Sequence, residues 1–128
     1  MSDGSQQKRP ARDADLTQYQ RGSGEGLEEL RKGLAAEPEN LVIKEWLAFS
    51  LYTNDRIDEA IDLYVDLTAH DPDKPMFSYY LANCYAKKGR LVEAIEPWER
   101  VIWLADGEVM GSKAKALLGQ ARRLLAGS

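Results

Sequence analysis

Cysteine and histidine each occur once in these 128 residues, as Cys84 and His70. A lone thiol excludes an internal disulfide framework, and one residue of each type falls short of a structural zinc site. No apolar run approaches the roughly 20 residues that a helix needs to cross a bilayer. The first ten residues, Met1 to Pro10, hold no apolar stretch, so no secretory leader is expected there. Positive charge is scarce in the body of the chain: residues 25–108 carry 9 Lys/Arg against 18 Asp/Glu. Such a surface repels phosphate backbones, which argues against nucleic acid as a partner. These absences point to a cytoplasmic protein in a reducing setting, with neither membrane nor nucleic acid among its partners.

What is present is ordinary globular material, 44% hydrophobic and 30% charged. About 100 residues can bury a core without staples. Residues 1–24 read as a disordered tail of Gly, Ser, Gln and charges, with Leu16 and Tyr19 its only large apolar types and a short helix near 14–20 as the alternative. Residues 109–128 hold Lys113, Lys115, Arg122 and Arg123 and no acid. Four bases on one short helix are read as a solvated face.

Sliding the sequence against itself by 34 residues aligns 41–74 with 75–108 without a gap. Identical pairs include Leu47/Leu81, Ala48/Ala82, Arg56/Arg90 and the run Glu59-Ala60-Ile61 against Glu93-Ala94-Ile95. The pairs Leu51/Tyr85, Ile57/Leu91, Tyr64/Trp98 and Leu67/Val101 keep apolar size. The same shift carries back to Glu25, Gly26, Leu27, Leu30 and Pro38, so a half repeat precedes the two full ones.

Inside each repeat the apolar period is helical. Ile43, Trp46, Leu47, Ser50 and Leu51 form one stripe over 41–53, with Asn40 as the expected N-cap. Asn54-Asp55 tolerates the left-handed backbone of a tight turn. The next helix spans 57–70, with Ile57, Ala60, Ile61, Tyr64, Leu67 and Thr68 on one face, and Pro72 beyond its end. In the second repeat Pro75 opens the helix and Gly89 makes the turn. Phe77, Tyr80, Leu81, Cys84 and Tyr85 form one stripe, and Leu91, Ala94, Ile95, Trp98, Val101 and Ile102 the partner face. Pro97 should disturb its helix by removing a backbone donor. A last helix over 109–126 has Met110, Ala114, Leu117, Leu118, Ala121, Leu124 and Leu125 as its apolar face, the pattern of a terminal cap.

These residues resemble the tetratricopeptide repeat, a 34-residue helix–turn–helix unit. The likeness rests on Leu47-Ala48…Leu51, Ala60…Tyr64…Pro72, and Leu81-Ala82…Tyr85…Gly89…Ala94…Trp98. Lys44 and Ser78 depart from it where an aromatic is usual, and so does Asp106 where a closing proline is usual. The resemblance implies an all-α, right-handed α-solenoid of antiparallel helix pairs. Its parts are a half repeat at 25–40, repeats at 41–74 and 75–108, and a capping helix at 109–126. Small residues at Ala48, Ala60, Ala82 and Ala94 suit the close approach of paired helices.

Little in the sequence can do chemistry. His70 falls at a helix end beside Asp71-Pro72, where a cation suits the dipole. Cys84 falls on a buried stripe. Asp58, Glu59, Asp62 and Asp66 solvate an outer face, and Gly22-Ser23-Gly24-Glu25-Gly26 lacks the strand and Lys-Ser/Thr of a phosphate loop. The expectation is a non-enzymatic chain with neither metal nor cofactor. By the resemblance, first helices line a groove for a partner protein or peptide: Val42, Glu45, Phe49 and Tyr52 from one repeat, Met76, Tyr79, Asn83 and Lys87 from the next. The alternative is that the tail or bending of the array covers Phe49 and Tyr52. The positions that grip a C-terminal carboxylate in some relatives are here Glu45, Phe49, Tyr80, Met110 and Ala114, none of them cationic. Trp103 falls on the outward side of its helix. It is either a second interface, serving self-association into a homo-oligomer, or is shielded by the last helix or Tyr19.

Overall fold

The computed structural model describes residues 24–127, with side chains from Gly26 onward, so the tail reading and Leu16 and Tyr19 lie outside the described residues. Those residues form six helices and no strand: α1 (Gly24–Ala36), α2 (Leu41–Thr53), α3 (Ile57–His70), α4 (Pro75–Lys87), α5 (Leu91–Leu104) and α6 (Val109–Ala126). The fold is all-α, and its helices fall within a residue or so of the boundaries predicted. Contacts divide the chain into two compact units, one ending at Arg56 and the other beginning at Ile57.

In the first unit α1 packs on α2. Leu27 and Leu30 are buried on α1, and Ile43, Leu47, Ala48 and Leu51 on α2. Gly33 of α1 faces Ile43 of α2, where even a Cβ would lie at an ordinary 3.6 Å from the Ile43 Cδ1. Asn40 caps α2, its Oδ1 accepting from the Val42 and Ile43 amides at 3.0 and 3.1 Å. This satisfies two of the donors that a helix start leaves free. Asp55, at φ 65°, takes the left-handed conformation after α2, and the Arg56 amide donates back to the Leu51 carbonyl at 2.8 Å. Gly89, at φ 76°, ends α4 the same way, with Arg90 donating to the Tyr85 carbonyl at 2.8 Å. The 34-residue repeat thus extends to individual backbone bonds of the turn.

In the second unit each helix packs on the next in sequence. Its core collects Ala82 from α4; Ala94, Trp98 and Val101 from α5; Ala105; and Ala114, Leu118 and Ala121 from α6. Burying side chains such as Trp98 and Val101 contributes about 1.5–3 kcal/mol each. The alanines at 82, 94 and 114 are fully enclosed, so any larger side chain would push helices apart. Pro75 opens α4, as its fixed φ favours. α5 continues through Pro97, which is itself buried.

Two features differ from the expected apolar face of α6. Leu124 is 57% exposed. It lies about 60° round the helix from Ala121, about 80° from Ala114 and about 120° from Leu118, at the edge of that buried row. Gly111, not recognised in the sequence, is buried against the Ala105 carbonyl. The four basic residues of α6 are exposed as expected, and Arg122 pairs with Glu99 of α5 at 2.5 Å.

Candidate functional site

Val42, Glu45, Phe49 and Tyr52 fall three or four residues apart along α2, which places them in one row. Phe49 is 38% exposed, and the other three are half-buried. The rings of Phe49 and Tyr52 stack with centroids 6.3 Å apart. They form an aromatic pair that water still reaches.

The corresponding row on α4 is Met76, Tyr79, Asn83 and Lys87. The first three are half-buried and Lys87 is exposed. Tyr79 meets Tyr80 edge-on at 5.4 Å, and Tyr80 stacks on Tyr64 of α3 at 5.8 Å. Tyr64 is buried, so this aromatic chain runs from the core to a partly open ring. Burial, then the neighbouring Tyr79, holds the Tyr80 phenol above its ordinary range.

Asn83 has a structural task that the sequence did not disclose. Its Oδ1 accepts the indole N–H of Trp98, at 3.0 Å and 15 residues away. A buried indole otherwise carries an unmet donor. Trp98 is spaced 34 residues from Tyr64, and an asparagine on the facing helix was the available signal.

The residues considered for chemistry stay apart. Cys84 is fully buried, and burial, opposed by Lys87, pushes its thiol up to about 12. It is therefore the unreactive neutral form at physiological pH. His70 closes α3 with its Nε2 4.0 Å from Asp66. Among the described residues no group of His, Cys, Asp and Glu could hold a metal ion, and no helix is long and apolar enough to cross a membrane. Trp103 is 79% exposed, so the last helix does not shield it; the Tyr19 alternative lies outside the described residues.

Residues 47–102 match the tetratricopeptide repeat family model. This segment is made of tetratricopeptide repeats. It begins within α2 and ends within α5, across the stretch where the 34-residue recurrence was read. No curated protein matches the sequence. Three solved structures share the tetratricopeptide architecture over nearly all of the chain. SycD, a type III secretion translocator chaperone of Yersinia enterocolitica, has a TM-score of 0.82 at 17% identity, covering 98% of this chain and 90% of its own. PcrH of Pseudomonas aeruginosa has a TM-score of 0.75 at 17% identity, covering 95% of each chain. MamA of AMB-1 has a TM-score of 0.67 at 19% identity, covering 96% and 86%. At such identities the likeness speaks for the fold.

Proposed function

We propose that this tetratricopeptide-repeat chain is a non-enzymatic, cytoplasmic interaction module that holds an apolar or amphipathic segment of a partner protein. The partner contacts are Val42, Glu45, Phe49 and Tyr52 on α2, and Met76, Tyr79, Asn83 and Lys87 on α4. The observation that supports this reading is the stacked Phe49–Tyr52 ring pair on α2, with Phe49 38% exposed, since aromatic side chains of this kind anchor interfaces. The half-buried Met76 and Tyr79 support it from the second unit, Met adding a side chain that adapts to varied shapes. The fold likeness to a translocator chaperone agrees with a role in holding another protein. Covering a Phe, Tyr or Met contributes about 1.5–3 kcal/mol each before the costs of association, so three or four anchors support micromolar binding.

Phe49→Ala or Tyr79→Ala should weaken partner binding at least tenfold while leaving the helical circular dichroism of the protein unchanged. Retention of full affinity by both variants would place the site elsewhere. Self-association is the second reading, and the 79% exposure of Trp103 favours it. Sedimentation mass against concentration, for wild type and Trp103→Ala, separates the two: a monomer at all concentrations removes the self-association reading.

A further inference from the structure

Side chains two positions apart on a helix point about 200° apart. Leu81 and Tyr85 therefore face away from Tyr79 and Asn83, toward the other side of α4. There they floor a cleft of about 700 Å³ between α3 and α5, walled by Val65, Val92 and Pro97. Val65 is 45% and Val92 68% exposed. A smaller hollow shares Pro72, Glu96 and Arg100 with this cleft and runs on to Trp103. The two form one trough along α5. The 11-residue step from Val92 to Trp103 corresponds to roughly 16 Å, three turns of a helix.

The rim carries more acids than bases, and arginines pair with Glu93 and Glu96. Glu93 and Glu96 line the cleft and Asp73 the smaller hollow, with Arg100 the one base among the lining residues. Arg100 is bonded to Glu96 at 2.8 Å, and Arg90 holds Glu93 through bonds of 2.6 and 2.8 Å. The floor senses the same field: the Tyr85 phenol is raised first by burial and then by Glu93, Arg90 opposing, with Cys84 and Asp62 adding to the rise. Pro97 has no N–H, so the Glu93 carbonyl on this wall lacks its usual helical donor.

We propose that this trough is a second docking site, distinct from the α2/α4 surface, and that it takes a basic amphipathic helix of a partner protein. Apolar side chains spaced three and four apart would seat on Val65, Val92 and Trp103. Lysines or arginines along their flanks would meet Asp73 and the net negative charge of the rim, sharing Glu93 and Glu96 with Arg90 and Arg100.

The test uses the full chain and labelled peptides of about 14 residues, titrated by fluorescence anisotropy. One peptide has leucines at helical spacing flanked by lysines. A second replaces every lysine with glutamate, and a third keeps the composition of the first with its leucine spacing scrambled. The first should bind at least ten times more tightly than either other. The Val65→Lys/Val92→Lys double variant changes two exposed positions, so it should fold normally; it should weaken binding of the first peptide at least tenfold. Phe49→Ala and Tyr79→Ala should leave that binding unchanged, which separates this site from the one proposed above. Equal binding of the scrambled peptide would reduce the effect to general charge attraction and overturn the proposal. So would full affinity in the double lysine variant, weakening by Phe49→Ala, or a dimer of the protein itself that the double variant dissolves.

Discussion

Replacing a helical glycine by alanine ordinarily stabilises a protein by about 0.5–1 kcal/mol, because alanine has less backbone freedom to lose. Two glycines of α6 should respond with opposite signs. At Gly119 a new Cβ would lie 3.6 Å from the Arg123 side chain, an ordinary contact. At Gly111 it would lie 2.2 Å from the Ala105 carbonyl oxygen and 3.0 Å from the carbonyl carbon. That is ~1 Å inside normal contact distance. The carbonyl has little freedom to move. Ala105 is buried, its amide donates to Val101 at 2.8 Å, and its carbonyl accepts from Glu108 at 3.0 Å. Relief therefore requires α6 to lift from the end of α5, straining a hydrogen bond worth about 1 kcal/mol and the packing of Ala114 and Leu118. Overpacking of about 1–3 kcal/mol exceeds the propensity gain, so Gly111→Ala should lower Tm by roughly 4–10 °C, while Gly119→Ala raises it by a few degrees. Thermal unfolding followed by far-UV circular dichroism measures both. A Gly111→Ala variant as stable as Gly119→Ala would refute the close approach of α6 to the Ala105 turn.

Three further outcomes follow from the geometry. Asn83→Leu should destabilise by about 1–3 kcal/mol in urea unfolding, because the Trp98 indole N–H loses its acceptor; an unchanged midpoint would mean that water replaces the amide. The two left-handed turn positions should also respond oppositely. Asp55→Gly should stabilise and Gly89→Ala destabilise, each by up to about 1 kcal/mol, since nothing lies within 4 Å of a Cβ at Gly89 and only the backbone φ matters. Cys84 sets a pH dependence. Its folded thiol titrates at about 12, well above the ~8.5 of an unfolded cysteine. The unfolded chain therefore releases its proton first as pH rises, so the stability due to this group is full below pH ~8.5 and falls by up to about 1.4 kcal/mol per unit above it. Urea midpoints above pH 9, compared with those of Cys84→Ala, read this slope, and native-state alkylation at pH 8 should proceed no faster than unfolding.

Most of the fold was legible because each buried row repeats with the helical period and each turn carries its own chemistry. Asn40, Pro75, Asp55 and Gly89 all act where their residue types suggest. What escaped depends on which neighbour a residue meets. Gly111 looks like a weak point in a helix until the Ala105 carbonyl is placed beside it. Leu124 looks like a core residue until it is seen to sit at the edge of the buried row of Ala114, Leu118 and Ala121. Asn83 suggests a groove contact, and its carbonyl also anchors Trp98; a bond spanning 15 residues leaves no periodic trace. The trough beside Val65 and Val92 went unread for a related reason. Exposed valines on the polar side of two helices resemble ordinary surface until the helices stand side by side.

The central claim is that α2 and α4 carry the partner-binding surface. Site-specific photo-crosslinking tests it most directly, with a benzophenone amino acid placed in turn at Phe49, at Tyr79 and at the exposed control position Ala116. The account predicts that positions 49 and 79 yield adducts with the same partner protein and position 116 yields none. Adducts at 116 alone, or at none of the three while the partner still co-purifies, would contradict it.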